Sequence, residues 1–157
     1  MSGKVIGQKM NIGFVGTLSR SSDNVVVNRV AKEQISYGDV VVLNSDNTVS
    51  PFKFGENQSQ RIIGIAVRII KQEMDINGQV AYLPDEAVDI LSRGSITILT
   101  DGSSLTAGGK VYIKEVDKSI IFTGSNDDAE LVSNMRFTTG RVDGNKVAEI
   151  TVLERKA

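Results

Sequence analysis

The chain of 157 residues has no cysteine, no histidine and no tryptophan, and only two prolines. Without cysteine there is no disulfide framework, no thiolate zinc site, no iron–sulfur cluster and no thiol nucleophile. Without histidine the commonest general base and the commonest transition-metal ligand are both missing. An excess of one charge is also lacking, since 18 basic residues face 19 acidic ones. Nucleic-acid binders carry a basic excess or a basic stripe; here the basic residues are scattered, and the densest run is Arg155-Lys156. Nucleic acid and anionic membrane surfaces are therefore not expected partners. The longest apolar run, Ile62-Ile63-Gly64-Ile65-Ala66-Val67, stops at Arg68 and is too short to span a bilayer. Residues Met1 to Lys9 lack the continuous apolar stretch of a signal peptide, so synthesis in a cytoplasm is expected. The prior moves away from enzymes and towards a binding or structural protein.

What is abundant is β-branched. Valine and isoleucine supply 35 residues, leucine and alanine only 16. Such side chains lose rotamer freedom in helices and pack well on a pleated surface. Apolar runs recur between turn signals about every ten residues, the spacing of a sandwich or barrel. The pattern predicts strands over 25–30, 40–44, 61–71, 79–83, 87–92, 95–100, 110–116, 119–123, 135–141 and 146–154. In the last of these Ala148, Ile150 and Val152 share one face, and Glu149 and Thr151 the other. Asn77-Gly78 and Asp143-Gly144 predict type I′ hairpin turns, and Ser45-Asp46-Asn47 predicts another turn. Helix signals are thin: at most one or two short turns are expected, one within 126–132 and one at Asp85-Glu86-Ala87, where the following Val88-Asp89-Ile90-Leu91 reads better as strand. The expectation is one all-β domain, a small barrel or sandwich with short hairpins, over 21–157.

Residues 1–20 differ. Gly3, Gly7, Gly13 and Gly16 break up Val5, Ile6, Met10, Ile12, Phe14, Val15 and Leu18 without a period. Two readings are open: an irregular edge strand against the protein's own sheet, or an arm that orders on a partner.

Motifs for catalysis fail one by one. Ser50-Pro51-Phe52-Lys53 and Ser45-Asp46-Asn47 mimic a serine acylase, but their order is reversed and no K-T-G exists. Around Gly109-Lys110 a phosphate loop would need a glycine where Ser104 stands and a hydroxyl where Val111 stands. Asp127, Asp128 and Glu130 lack calcium-loop spacing. A glycosidase built on two distant carboxylates would carry aromatic sugar platforms, and aromatics are 5% of this chain. No catalytic, cofactor-binding or metal-binding residue is assigned, and no enzyme activity or cofactor is expected.

A series of segments in fixed order carries a resemblance. Gly13-Phe14-Val15-Gly16-Thr17-Leu18-Ser19-Arg20 precedes Val26-Val27-Asn28-Arg29. Then follow Ile35-Ser36-Tyr37-Gly38-Asp39-Val40-Val41 and Ile63-Gly64-Ile65-Ala66-Val67-Arg68. Next come Tyr82-Leu83-Pro84, Val88-Asp89-Ile90-Leu91 and Gly94-Ser95-Ile96, and last Gly109-Lys110-Val111-Tyr112 and Val147-Ala148-Glu149-Ile150. In this order the chain resembles the structural cement, or head decoration, proteins of tailed bacteriophages. The resemblance implies a β protein on the outer surface of the expanded capsid, reinforcing contacts between major capsid protein subunits. It further implies a homotrimer at local threefold positions, and a virion location after synthesis in the bacterial host cytoplasm. By analogy of position the capsid contact falls on the N-terminal segment, at Ile12, Phe14, Val15, Leu18 and Arg20. Alternatives are another phage structural β domain (tail tube, connector or baseplate) and a carbohydrate-binding module.

Overall fold

The computed structural model describes residues 12–19, 23–56, 61–70 and 80–153. Among the described residues eleven strands follow in chain order: β1 (Val25–Ala31), β2 (Ile35–Ser36), β3 (Val40–Leu43), β4 (Thr48–Pro51), β5 (Ile62–Ala66), β6 (Ala81–Tyr82), β7 (Ala87–Leu99), β8 (Lys110–Val116), β9 (Ser119–Thr123), β10 (Glu130–Val142) and β11 (Val147–Val152). The all-β expectation holds.

The first half of β7 closes a ring in the order β1-β4-β3-β5-β7, with β7 pairing back onto β1. Five strands cannot alternate in direction all the way round. One junction must be parallel, and it is β1 with β4, at Val30↔Thr48 and Ala31↔Val49. The second half of β7 leaves the ring and starts a wing in the order β7-β11-β10-β8-β9. A parallel bridge between Thr100 and Phe122 draws β9 back towards the end of β7, so the wing curls on itself. The change of sheet falls at Arg93-Gly94: β1 pairs up to Arg93, and β11 pairs from Gly94.

Two cores result. Ala31, Val41, Val49, Ile63, Ala66, Val88 and Ile90 cluster with Ile35, Tyr37 and Tyr82, the short β2–β6 pair supplying Ile35 and Tyr82. A larger core joins Val40, Val42, Ile62, Ile65 and Leu91 of the ring to Ile96, Ile98, Val111, Ile113, Phe122, Phe137 and Ile150 of the wing. Strands β3 and β5 thus bury side chains on both faces. That is why Val40–Val42 and Ile62–Ala66 read as unbroken apolar runs rather than alternating ones. A bulge at Ile63, where Val41 faces Gly64 but Val42 faces Ile62, lets Ile62 and Ile65 point to one core and Ile63 and Ala66 to the other.

Several expectations are corrected. Segments 87–92 and 95–100 form one strand through Gly94, because two different sheets continue the same backbone ladder. The expected helical turn within 126–132 gives way to strand, since Glu130-Leu131-Val132 pairs with β8 and buries Val132. Strands β2 and β4 were not foreseen; each is short. The Asp143-Gly144 hairpin forms, but its left-handed residue is Lys146 (φ 60°), with the Asp143 carboxylate accepting the Asn145 and Val147 amides. The two-residue type I′ geometry lies instead at Asp117 and Lys118, φ 51° and 65°, between Val116 and Ser119. Asn77-Gly78 and the ends of the strands expected over 61–71 and 79–83, at residues 71 and 79, lie outside the described residues.

Candidate functional site

Strand β7 has β11 on one side in its second half. Its other edge is taken by residues 16–19. The Gly16 amide donates to the Thr97 carbonyl at 2.7 Å, the Thr97 amide to the Thr17 carbonyl at 3.1 Å, and the Ser19 amide to the Ser95 carbonyl at 3.0 Å. Leu18 bridges Ile96 antiparallel. The Thr97 hydroxyl, almost wholly buried, donates to the Phe14 carbonyl at 2.6 Å and accepts the Thr17 amide at 3.0 Å. The Arg68 amide donates to the Gly16 carbonyl at 2.7 Å, and Ser19 Oγ donates to Glu149 at 2.6 Å. Gly16 has φ 82° and sits where the segment crosses the ring; a Cβ there would lie 3.0 Å from the Gly38 nitrogen and 3.1 Å from that of Arg68. The segment is stitched into its own fold.

Its side chains divide by this geometry. Val15 lies over Gly38, where any Cβ would overlap it, and Leu18 packs against the larger core. Phe14 points away from the core and is 70% exposed, and Ile12 is exposed as well. Arg20, the fifth residue assigned from the sequence, lies outside the described residues. The Ile12 amide donates to Asp143 Oδ2 at 2.9 Å. Partial desolvation opposes ionisation of Asp143, but the amides of Val147, Ile12 and Asn145 outweigh it and hold its carboxyl below the usual range.

Sequence reasoning missed the residue that joins this segment to the ring. Arg68 places its guanidinium 4.8 Å from the Phe14 ring centroid and 5.6 Å from that of Tyr37. Tyr37 stands edge-on to Tyr82, centroids 5.3 Å apart. The Tyr82 hydroxyl donates to the Val67 carbonyl at 2.6 Å, and burial raises its pKa. The only signal in the sequence was a charge placed directly after the longest apolar run.

Asp39, beside Gly38, is titratable in a useful range. Desolvation raises its pKa from 3.8 to about 7, against the opposing Ser36 amide hydrogen bond. A folded-state pKa above the unfolded one means that the native state binds the proton more tightly. Its stabilising contribution is full below 3.8 and is lost as pH rises through about 7. Asp39→Asn should therefore be more stable than wild type at pH 8, by up to about 4 kcal/mol, and match it near pH 4. Thermal melts of both proteins across that range check the sign; an unchanged difference between pH 4 and 8 would refute it.

The fold occurs in a phage shell. A chain in the solved structure "The capsid of Myoviridae Phage XM1" superposes with a TM-score of 0.74 at 16% identity, covering 100% of both chains. The sequence itself matches the family model of the XM1 gp53 minor capsid protein over residues 3–152. The chain belongs to that family. No curated protein matches it significantly. The resemblance read from the ordered segments thus leads to a phage capsid-associated family, and with it a virion location and association with capsid proteins.

Proposed function

We propose that this protein is a cement of the assembled shell. It binds the outer surface of the expanded capsid as a homotrimer at local threefold positions and ties neighbouring major capsid subunits together, without a catalytic step. The observation that carries the reading is Phe14: a large aromatic, 70% exposed, on a segment whose backbone is fixed by bonds to Thr97. Exposed hydrophobics on a rigid support favour binding, because little conformational entropy is lost on docking. Family membership supplies the capsid context. Many copies on one lattice add avidity to a modest single contact.

Co-sedimentation with purified shells tests it. The protein should pellet with expanded shells at micromolar concentration and remain in solution with unexpanded precursors. Electron microscopy of the decorated shells should place density over the local threefold positions. Failure to bind expanded shells at that concentration would reject the reading.

A further inference from the structure

Arg68 is held ready for a partner. Its backbone is pinned, since its amide donates to the Gly16 carbonyl and it directly follows the buried Ile62–Val67 run. Its guanidinium rests against Phe14 and Tyr37, and Tyr37 is only 8% exposed and braced by fully buried Tyr82. The side chain itself remains exposed. Among the described residues its guanidinium has no carboxylate partner: the ion pairs there join Lys32 to Asp46, Lys53 to Glu33, Arg93 to Asp23 and Lys114 to Asp101. The two acids bonded to the N-terminal segment are engaged otherwise, Glu149 by the Ser19 hydroxyl and Asp143 by three amides.

An arginine stacked on aromatic rings keeps its charge and its planar fork of donors while losing rotamer freedom in advance. The group that matches a fork is a carboxylate, bound by two parallel hydrogen bonds. Beside it Phe14 offers an aromatic anchor, and two residues earlier in the same segment Ile12 is an exposed aliphatic one. Arginine and aromatic residues side by side are the composition of an interface hot spot. We infer that Arg68 pairs with a carboxylate of the capsid subunit while Phe14 and Ile12 enter an apolar recess next to it. This rests on the reading that the protein docks on the shell. Arg68 fixes which subunit surface is accepted, and Phe14 excludes water from the ion pair, where charge pairing is stronger than in bulk solvent.

The test uses the full chain and expanded shells, with dissociation constants measured from about 50 to about 500 mM salt, a range that spans weak to strong screening. Wild-type binding should weaken steadily with salt. Arg68→Gln should bind about 30-fold more weakly at low salt and lose most of the salt dependence. Arg68→Lys keeps the charge but not the fork; it should retain the salt dependence with about tenfold weaker binding. Phe14→Ala should weaken binding by about tenfold or more at every salt concentration. Since Arg68 is exposed, melting temperatures of its variants should stay close to wild type. If Arg68→Gln melts lower, Arg68→Lys, which preserves the cation on the same rings, decides the matter. Arg68 variants that bind as wild type, with its salt dependence, overturn the inference and leave the cement reading standing. A wild-type protein that binds no shell removes both.

Discussion

Replacing Gly64 by alanine should destroy most of the stability of the fold, by about 4 kcal/mol or more, a large share of what a domain of this size has. Gly64 is buried in β5, directly before Ile65 and Ala66, which pair with Leu91 and Ile90 of β7. A Cβ there would overlap the Leu91 carbonyl oxygen and lie 2.8 Å from the Leu91 carbonyl carbon and 2.9 Å from Ile90 Cγ2. Two of these atoms are backbone of a strand pinned between β5 and β1, so they cannot rotate away as a side chain end would. Chemical denaturation is the measurement, with Gly144→Ala as control. Gly144 has nothing within 4 Å of a built Cβ and should change stability by no more than about 0.5 kcal/mol. Equal behaviour of the two variants would show that the β5–β7 contact yields more easily than its geometry implies.

Deleting residues 2–18 should cost roughly 4 kcal/mol as well, and for a different reason. It removes the bonds from Gly16 to Thr97, from Thr97 to Thr17 and from Arg68 to Gly16, together with the packing of Leu18 on the larger core. It also leaves the buried Thr97 hydroxyl without its partners and opens the second half of β7 as a bare strand edge. The truncated protein should melt well below the full chain, aggregate on concentration and bind no shell. Phe14→Ala separates the two roles of the segment, because Phe14 lies outside the core: it should weaken shell binding by about tenfold or more while melting within about 2 °C of wild type. A truncated chain as stable as the full one would mean that residues 16–19 merely lie on β7. A strongly destabilised Phe14→Ala would place that ring in the fold rather than in the contact.

For residues 12–19 the edge-strand alternative describes the backbone and Leu18, and the partner-binding alternative is carried only by the proposal above. Backbone bonds and Leu18 belong to the protein's own sheet, and Phe14 and Ile12 face outwards. Neither half was legible from sequence, because glycine spacing abolishes the period that would reveal which side chains share a face. Arg68 was missed for a related reason. Its neighbour Phe14 is far away along the chain, and only folding stacks one on the other. The helical turn expected within 126–132 failed because local capping signals there lose to the burial of Val132 against β8.

The sequence by itself determined the class of structure. Valine and isoleucine in short runs punctuated by turn residues force a β domain, because propensity, alternation and turn chemistry act over a few residues and leave their mark locally. The strands β8 and β9, the β10–β11 hairpin and the alternation within β11 were readable on that basis. Missing histidine and cysteine removed imidazole and thiol chemistry, and no more than that. Only the tertiary structure decided that five strands close into a ring through one parallel pair, and that β7 serves two sheets. The same long-range packing covers β3 and β5 on both faces and sets Arg68 beneath Phe14. These are consequences of which distant strands bury one another, and the free energy of such burial depends on the whole packed set rather than on any segment.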